Sequence, residues 1–191
     1  MERTFDSVFH SSRFFLAIAV TDTARRAIEA HLGREQLPGR TVAPEDWHLT
    51  LRFLGETSPE ALETLHEALG TADLGCPFEV AFGHFGAFPA PERAGVLWLG
   101  LGEGIAALTA LAVRVEEVAR QAGFPPERRP YTPHVTLSRL RPPVDARPII
   151  DRMTIVKERM PVGAVTLFRS GAGGGPNRYE AVERYTLDGS A

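Results

Sequence analysis

Two short stretches carry side chains able to move protons beside a bound anion. Trp47-His48-Leu49-Thr50-Leu51-Arg52-Phe53-Leu54 alternates apolar residues with a histidine, a threonine and an arginine. His134-Val135-Thr136-Leu137-Ser138 repeats the His-apolar-Thr-Leu order 86 positions later. A period of two predicts a strand with one buried face. In the first stretch Trp47, Leu49, Leu51 and Phe53 would enter the core, leaving His48, Thr50 and Arg52 together on the other face. An imidazole, a hydroxyl and a guanidinium on one rigid face suit an anion. One His-x-Thr arises easily by chance; two in matched surroundings do not.

The elements around them repeat as well. Arg13 to Val20 is a near-continuous apolar run and reads as a buried strand. Asp22 offers a helix cap, followed by Ala24, Ala27, Ile28 and Leu32 at helical spacing. After the first His-x-Thr strand, Ser58-Pro59-Glu60 is a helix start, with Leu62, Leu65, His66 and Leu69 as its stripe. Phe78 to Phe85 reads as a strand. Then the order recurs. It runs through an apolar strand at Val96–Leu101, a helix from Ile105 closed by Gly123, and the second His-x-Thr strand at His134–Leu140. A short helix follows near Ala146–Met153, then a strand at Val162–Phe168. A glycine-rich turn, Gly171–Gly175, leads into a last strand, Tyr179–Leu187, expected as its hairpin partner. Such self-similarity is the mark of internal duplication, here about 13–90 and 95–170. Two facing halves would set His48 and His134 across one cleft.

Composition narrows the class. The 191 residues, 43% hydrophobic and 24% charged, suit one soluble globular unit. Net charge is −3, so no global basic field attracts nucleic acid. Lys157 is the sole lysine among arginines, and Arg128, Arg129, Arg139 and Arg141 flank the second motif. The single cysteine, Cys76, excludes an internal disulfide framework and suits a reducing compartment. No apolar run reaches the roughly 20 residues of a membrane span. Residues 1–12 form a polar leader without a signal core, read as disordered. The expectation is a cytoplasmic chain with residues 13–191 as one bilobal domain.

Two imidazoles across a cleft suit general acid–base catalysis: one takes a proton from water while the other gives one to a leaving oxygen. Thr50 and Thr136 would donate to a phosphoryl oxygen between them. Other histidines read as structural. His66 lies on a leucine stripe, and His84 shares a face with Phe78, Val80 and Phe82. His10 and His31 look like surface residues. No histidine pair has metal-site spacing with a carboxylate. Simple alternation puts Arg139 on the strand face opposite His134 and Thr136, as an ion-pair partner or a phosphate ligand. Tyr131 and Phe14 are candidates to stack on a base, with core packing the alternative for Phe14.

These residues resemble the 2H phosphoesterase superfamily, in its RNA 2′,3′-cyclic phosphodiesterase branch, also called 2′-5′ RNA ligases. The matching pieces are Arg13-Phe14-Phe15, Trp47 to Gly55, Pro133 to Arg139, Leu167 to Ser170 and Gly175 to Tyr179. The resemblance implies an α+β fold of two pseudo-symmetric lobes, mostly antiparallel sheet with outer helices, around a central cleft. It implies no metal and no cofactor. His48 would be the proton donor and His134 the proton acceptor. Thr50, Thr136, Arg52, Arg139, Tyr131 and Phe14 would contact substrate. The partner would be an RNA with a 2′,3′-cyclic phosphate end, or a small cyclic nucleotide, bound by a monomer with no membrane involved. ATP-independent 2′-5′ ligation is the same chemistry reversed. A non-catalytic module that holds a nucleotide or RNA end is the other reading.

Overall fold

The computed structural model describes residues 12–33, 35–171 and 179–189. The leader up to residue 11, most of the glycine-rich turn and Gly175–Arg178 lie outside them, as does His10. The chain runs β1 (Arg13–Ala19), α1 (Asp22–Leu32), β2 (Arg40–Thr41), β3 (His48–Glu56), α2 (Pro59–Thr71), β4 (Phe78–Phe88), β5 (Ala94–Glu103), α3 (Ile105–Gln121), β6 (His134–Val144), α4 (Arg147–Ile150), β7 (Arg159–Val162), β8 (Ala164–Ser170) and β9 (Tyr179–Thr186). This is the expected α+β class. The strand order is β7-β4-β5-β6-β3-β1-β8-β9, with β2 beside β6. The pairings among the described residues are antiparallel.

The sheet has two halves that meet at β3 and β6 through one rung, Leu49↔Val135. The halves in space are not the halves in sequence. β4 belongs to the first repeat but pairs with β5 of the second. β8 belongs to the second repeat but pairs with β1 of the first. Each lobe is thus completed by an outer strand from the other repeat.

Helix starts follow local chemistry. Ser58 caps α2, its side chain accepting from the Ala61 N–H, with Pro59 opening the helix. In α1 the cap is Thr21, which accepts from the Ala24 N–H; Asp22, expected there, instead sits in the first turn, where its charge favours the helix dipole. The apolar stripes of α2 and α3 (Leu62, Leu65, Leu69; Leu108, Leu111, Val115) are fully or almost fully buried. They join Leu16, Ile18, Leu49, Leu99 and Val135 of the sheet in one core. Each such leucine contributes about 1.5–3 kcal/mol. His66 lies at the edge of this core, its Nδ1 3.0 Å from the Tyr185 hydroxyl. The helices therefore take one sheet face, and the other is left for a cleft. Among the described residues no helix is long and apolar enough to cross a membrane.

Candidate active site

The two His-x-Thr triplets share the Leu49↔Val135 rung as their common centre. Leu49 and Val135 are fully buried on the core side, so the flanking residues point the other way. His48, Thr50, His134 and Thr136 are all half-buried on that opposite face. Antiparallel pairing sets each histidine beside the other strand's threonine. Both expected pairs are brought together on one patch of sheet.

The backbone aims the imidazoles alike. His48 Nδ1 lies 2.7 Å from the Asp46 carbonyl oxygen, and His134 Nδ1 lies 2.7 Å from that of Thr132. A carbonyl only accepts, so each Nδ1 carries the hydrogen and donates it. Each Nε2 is left as the working atom. This two-residue back-contact was not legible from residue types, though the prolines nearby, Pro44 and Pro133, mark bent chain before each strand.

Simple alternation fails just after each threonine. β1 pairs Ala17 with Thr50 and then Leu16 with Arg52, leaving Leu51 as an extra residue. β5 pairs Trp98 with Thr136 and then Leu97 with Ser138, leaving Leu137 as the extra one. These are β-bulges, and each shifts the inside–outside phase by one residue. Arg52, expected beside His48 and Thr50, is turned inward and is only 7% exposed. Its Nε lies 2.5 Å from a carboxylate oxygen of Glu116 on α3, and its other nitrogens donate to the Phe53 and Pro125 carbonyls. Arg52 is thus a structural cation, not a cleft residue. Phe53, expected in the core, is 50% exposed instead. The second bulge brings Arg139, expected on the far face, round to the exposed side. Its charge disfavours protonation of both His48 and His134.

Aromatic rings wall the patch on either side. Phe15, not Phe14, faces His48, with ring centroids 4.7 Å apart. Phe15 also stacks on Phe168 at 5.3 Å and meets Tyr179 edge-on at 5.0 Å. Phe14 is 1% exposed and packs in the core. On the other side His134 meets Phe88 at 5.0 Å and Trp98 at 6.1 Å. His84 is exposed and lies 6.2 Å from Trp98, because an irregularity in β4 between Phe82 and Phe85 turns it off the core face. Tyr131 packs against the core with its hydroxyl buried and without a partner among the described residues, so burial pushes its phenol up. Arg129 pairs with Glu127 at 2.9 Å and lies over the Phe53 ring at 6.0 Å. His31 binds the Thr154 carbonyl at 3.0 Å, away from the patch.

Burial, the backbone contact and the nearby positive charges act together on the histidines. Desolvation, above all, pushes His48 down to about 4; His134 and Arg139 add to the effect, and the Asp46 carbonyl opposes it. Desolvation likewise lowers His134, opposed by the Thr132 carbonyl. Without a ligand the site therefore favours two neutral imidazoles beside the Arg139 guanidinium, an arrangement that a bound anion would complete. No three histidine, cysteine or acidic side chains are grouped to hold a metal ion among the described residues.

Comparison with known proteins agrees with this geometry. Residues 26–174 match the model of the 2′-5′ RNA ligase superfamily. A relative from Aeropyrum pernix, named RNA 2′,3′-cyclic phosphodiesterase, is 38% identical over 59% of this chain and 61% of its own. One from Geobacillus stearothermophilus with the same name is 37% identical over 67% of this chain and 42% of its own. The chain thus spans less than two thirds of either relative. The crystal structure of Escherichia coli LigT complexed with 3′-AMP is 30% identical, with a TM-score of 0.75, over 93% of this chain and 98% of that one. The paired motifs, their shared rung and these matches lead to one placement: the chain belongs to the 2′-5′ RNA ligase superfamily of two-histidine phosphoesterases.

Proposed function

We propose that this chain hydrolyses RNA 2′,3′-cyclic phosphate ends to 2′-phosphomonoesters. The observation that carries the reading is the pair of histidines, each tethered through Nδ1 to a carbonyl and flanking one rung with a threonine beside each. The names of the relatives from Aeropyrum pernix and Geobacillus stearothermophilus support the substrate, and the complex of LigT with 3′-AMP supports a nucleotide-sized occupant. His134 takes a proton from water as the oxygen attacks phosphorus. His48 gives a proton to O3′ as the P–O3′ bond breaks in line. Thr50, Thr136 and Arg139 donate to the non-bridging oxygens, where charge gathers. Strain in the five-membered ring lowers what the protein must supply.

The lowered histidines fit this scheme. The phosphodiester is an anion, and placed between the imidazoles it favours the charged form of His48, which the acid role needs. Phe15, Phe168 and Tyr179 lie on the His48 side and suit the base of the same nucleotide. The ribose must lie there too, since O3′ stays attached to it. Both histidines lie on one chain, so a monomer suffices, and the lone Cys76 suits the cytoplasm.

Phosphorus NMR of the product tests the assignment. A 2′-phosphate is expected from a cyclic nucleotide or a short cyclic-ended RNA. A 3′-phosphate would reverse the roles of the two histidines. No turnover would leave the binding-module reading. The scheme uses no metal, so excess EDTA should leave the rate intact; loss restored by added zinc or magnesium would refute it.

A further inference from the structure

The carbonyl that orients His134 lies in a segment without regular structure. Between α3 and β6 the chain reads Pro125-Pro126-Glu127-Arg128-Arg129-Pro130-Tyr131-Thr132-Pro133. Four of these nine residues are prolines, which have no N–H to give. Among the described residues, 125–133 make no backbone–backbone hydrogen bond. Side chains hold the segment instead. Arg52 of β3 donates through Nη2 to the Pro125 carbonyl. Glu116 of α3 accepts the Glu127 N–H at 3.0 Å through Oε1 and faces Arg52 Nε at 2.5 Å through Oε2. One guanidinium and one carboxylate, joined to each other, thus pin the start of the segment at two points. Glu127 then folds the next turn, its Oε1 accepting from the N–H groups of Arg128 and Arg129. Tyr131 packs against the core, and Thr132 follows with the carbonyl that takes the His134 Nδ1 hydrogen.

His48 is oriented without such a clamp. Its carbonyl, on Asp46, belongs to a single helical turn closed by its own backbone. The Asp46 N–H donates to Ala43 at 2.9 Å and the Trp47 N–H to Pro44 at 3.2 Å. Just before it, the Val42 N–H donates to Leu137 of β6 at 2.8 Å.

We infer that Arg52, with Glu116, is a positioning residue for His134: the strand that carries one histidine holds the loop that aims the other. The inference rests on the two-histidine reading for what His134 does, and adds what keeps it able to do so. Taking a proton from water needs a bare Nε2, so the hydrogen must stay on Nδ1. The bond that Nδ1 makes decides which nitrogen carries it. A loop released at Pro125 and Glu127 carries the Thr132 carbonyl away from the ring. The hydrogen is then free to move to Nε2, where the ring can no longer accept a proton from water.

Nitrogen NMR of the imidazoles reads this directly, at about pH 8, where both lowered histidines are neutral. His48→Gln and His134→Gln assign the two sets of signals. Both wild-type rings should carry the hydrogen on Nδ1. Arg52→Lys keeps a cation beside Glu116 but loses the arm to Pro125, and Glu116→Gln removes the charge from the pair. Each should turn His134 into a mixture of tautomers and leave His48 unchanged. For a 2′,3′-cyclic mononucleotide kcat should fall about 10- to 100-fold, the scale of a misplaced reacting group, with KM little altered. In wild type the Glu127 amide should exchange slowly with deuterium, which reads the clamp without any substitution and decides the matter if circular dichroism shows both variants unfolded. A fast-exchanging Glu127 N–H, or an unchanged His134 tautomer in the folded variants, overturns the positioning role. So would equal changes at both histidines, which mark general loosening. If the tautomer moves at His134 alone but wild type consumes no cyclic nucleotide, Arg52 still positions His134 and the hydrolytic reading falls.

Discussion

β3 and β6 are the same device built twice, with different residues at two matched positions. In both, a histidine and a threonine face the cleft, a bulge follows the threonine, and the next two residues are one inward and one outward. In β3 the inward residue is Arg52 and the outward one Phe53. In β6 the inward residue is Ser138, which donates to the Pro38 carbonyl, and the outward one Arg139. The scaffold is symmetric, and the chemistry hung on it is not. At the matched outward position one strand offers a ring and the other a cation. A symmetric pair of histidines cannot tell one end of a cyclic phosphate from the other. Under the proposed function, this asymmetry is what would give the substrate a preferred direction.

Substitutions in the two strands would break or sharpen the comparison. The largest effect is expected inside. Arg52→Ala leaves Glu116 without its cation and should cost about 3–5 kcal/mol, as for other broken buried pairs. Ser138→Ala loses one hydrogen bond and should cost about 1–3 kcal/mol. Urea midpoints measure both, and equal values would dissolve the distinction between the two inward sites. His48→Ala or His134→Ala should each lower turnover by roughly 10² or more, with circular dichroism unchanged. A variant that hydrolyses a cyclic nucleotide at near wild-type rate removes that histidine from the mechanism.

Arg139→Gln should lower kcat/KM about tenfold or more, the scale of a charged hydrogen bond to phosphate. Phe53→Leu, at the matched position, should cost less, because it changes packing and not charge. A larger loss at Phe53 would mean that the two outward sites have been given the wrong roles.

The remaining effects are in pH. Burial holds His48 near 4 in the folded chain, against about 6.5 unfolded. Between those values the unfolded chain binds more protons, so stability rises with pH across roughly 4 to 6.5 and levels off above. His48→Gln should flatten that rise in thermal melts; an unaltered slope would show that His48 does not carry it. The rate profile should be bell-shaped, because one imidazole must be charged and the other neutral. Its kcat/KM optimum should lie on the acid side of 6.5. Arg139→Gln should move that optimum upward, since Arg139 holds both histidines down. Movement to lower pH would contradict the assigned coupling.

Much of the fold and the site is legible in the sequence, and the failures share one cause. Periodicity locates the long strands and the helices, and the repeat locates the histidines and threonines. The bulges are invisible to a period-two reading, because an extra residue such as Leu51 or Leu137 looks like any other apolar position. Alternation therefore puts residues beyond a bulge on the wrong face: Arg52 and Phe53 after one, Arg139 after the other. His84 goes astray for the same reason in β4. Of Phe14 and Phe15, both apolar and adjacent, alternation cannot choose which one meets His48. The identity of Arg52's partner is beyond local pattern, since Glu116 lies on a helix 64 positions along the chain.

The crossing of β4 and β8 between lobes bears on why such asymmetry needs a single chain. Neither repeat encloses a lobe of its own, so one repeat alone would need a twin to lend it a strand. In a pair of identical copies, related by a twofold axis through the central rung, both walls must match. A ring facing one histidine would be repeated at the other, and so would a cation. Joining the two repeats in a single polypeptide lifts that constraint while keeping the borrowed strands in place. A single polypeptide can hold an aromatic at position 53 and a basic residue at its counterpart, 139.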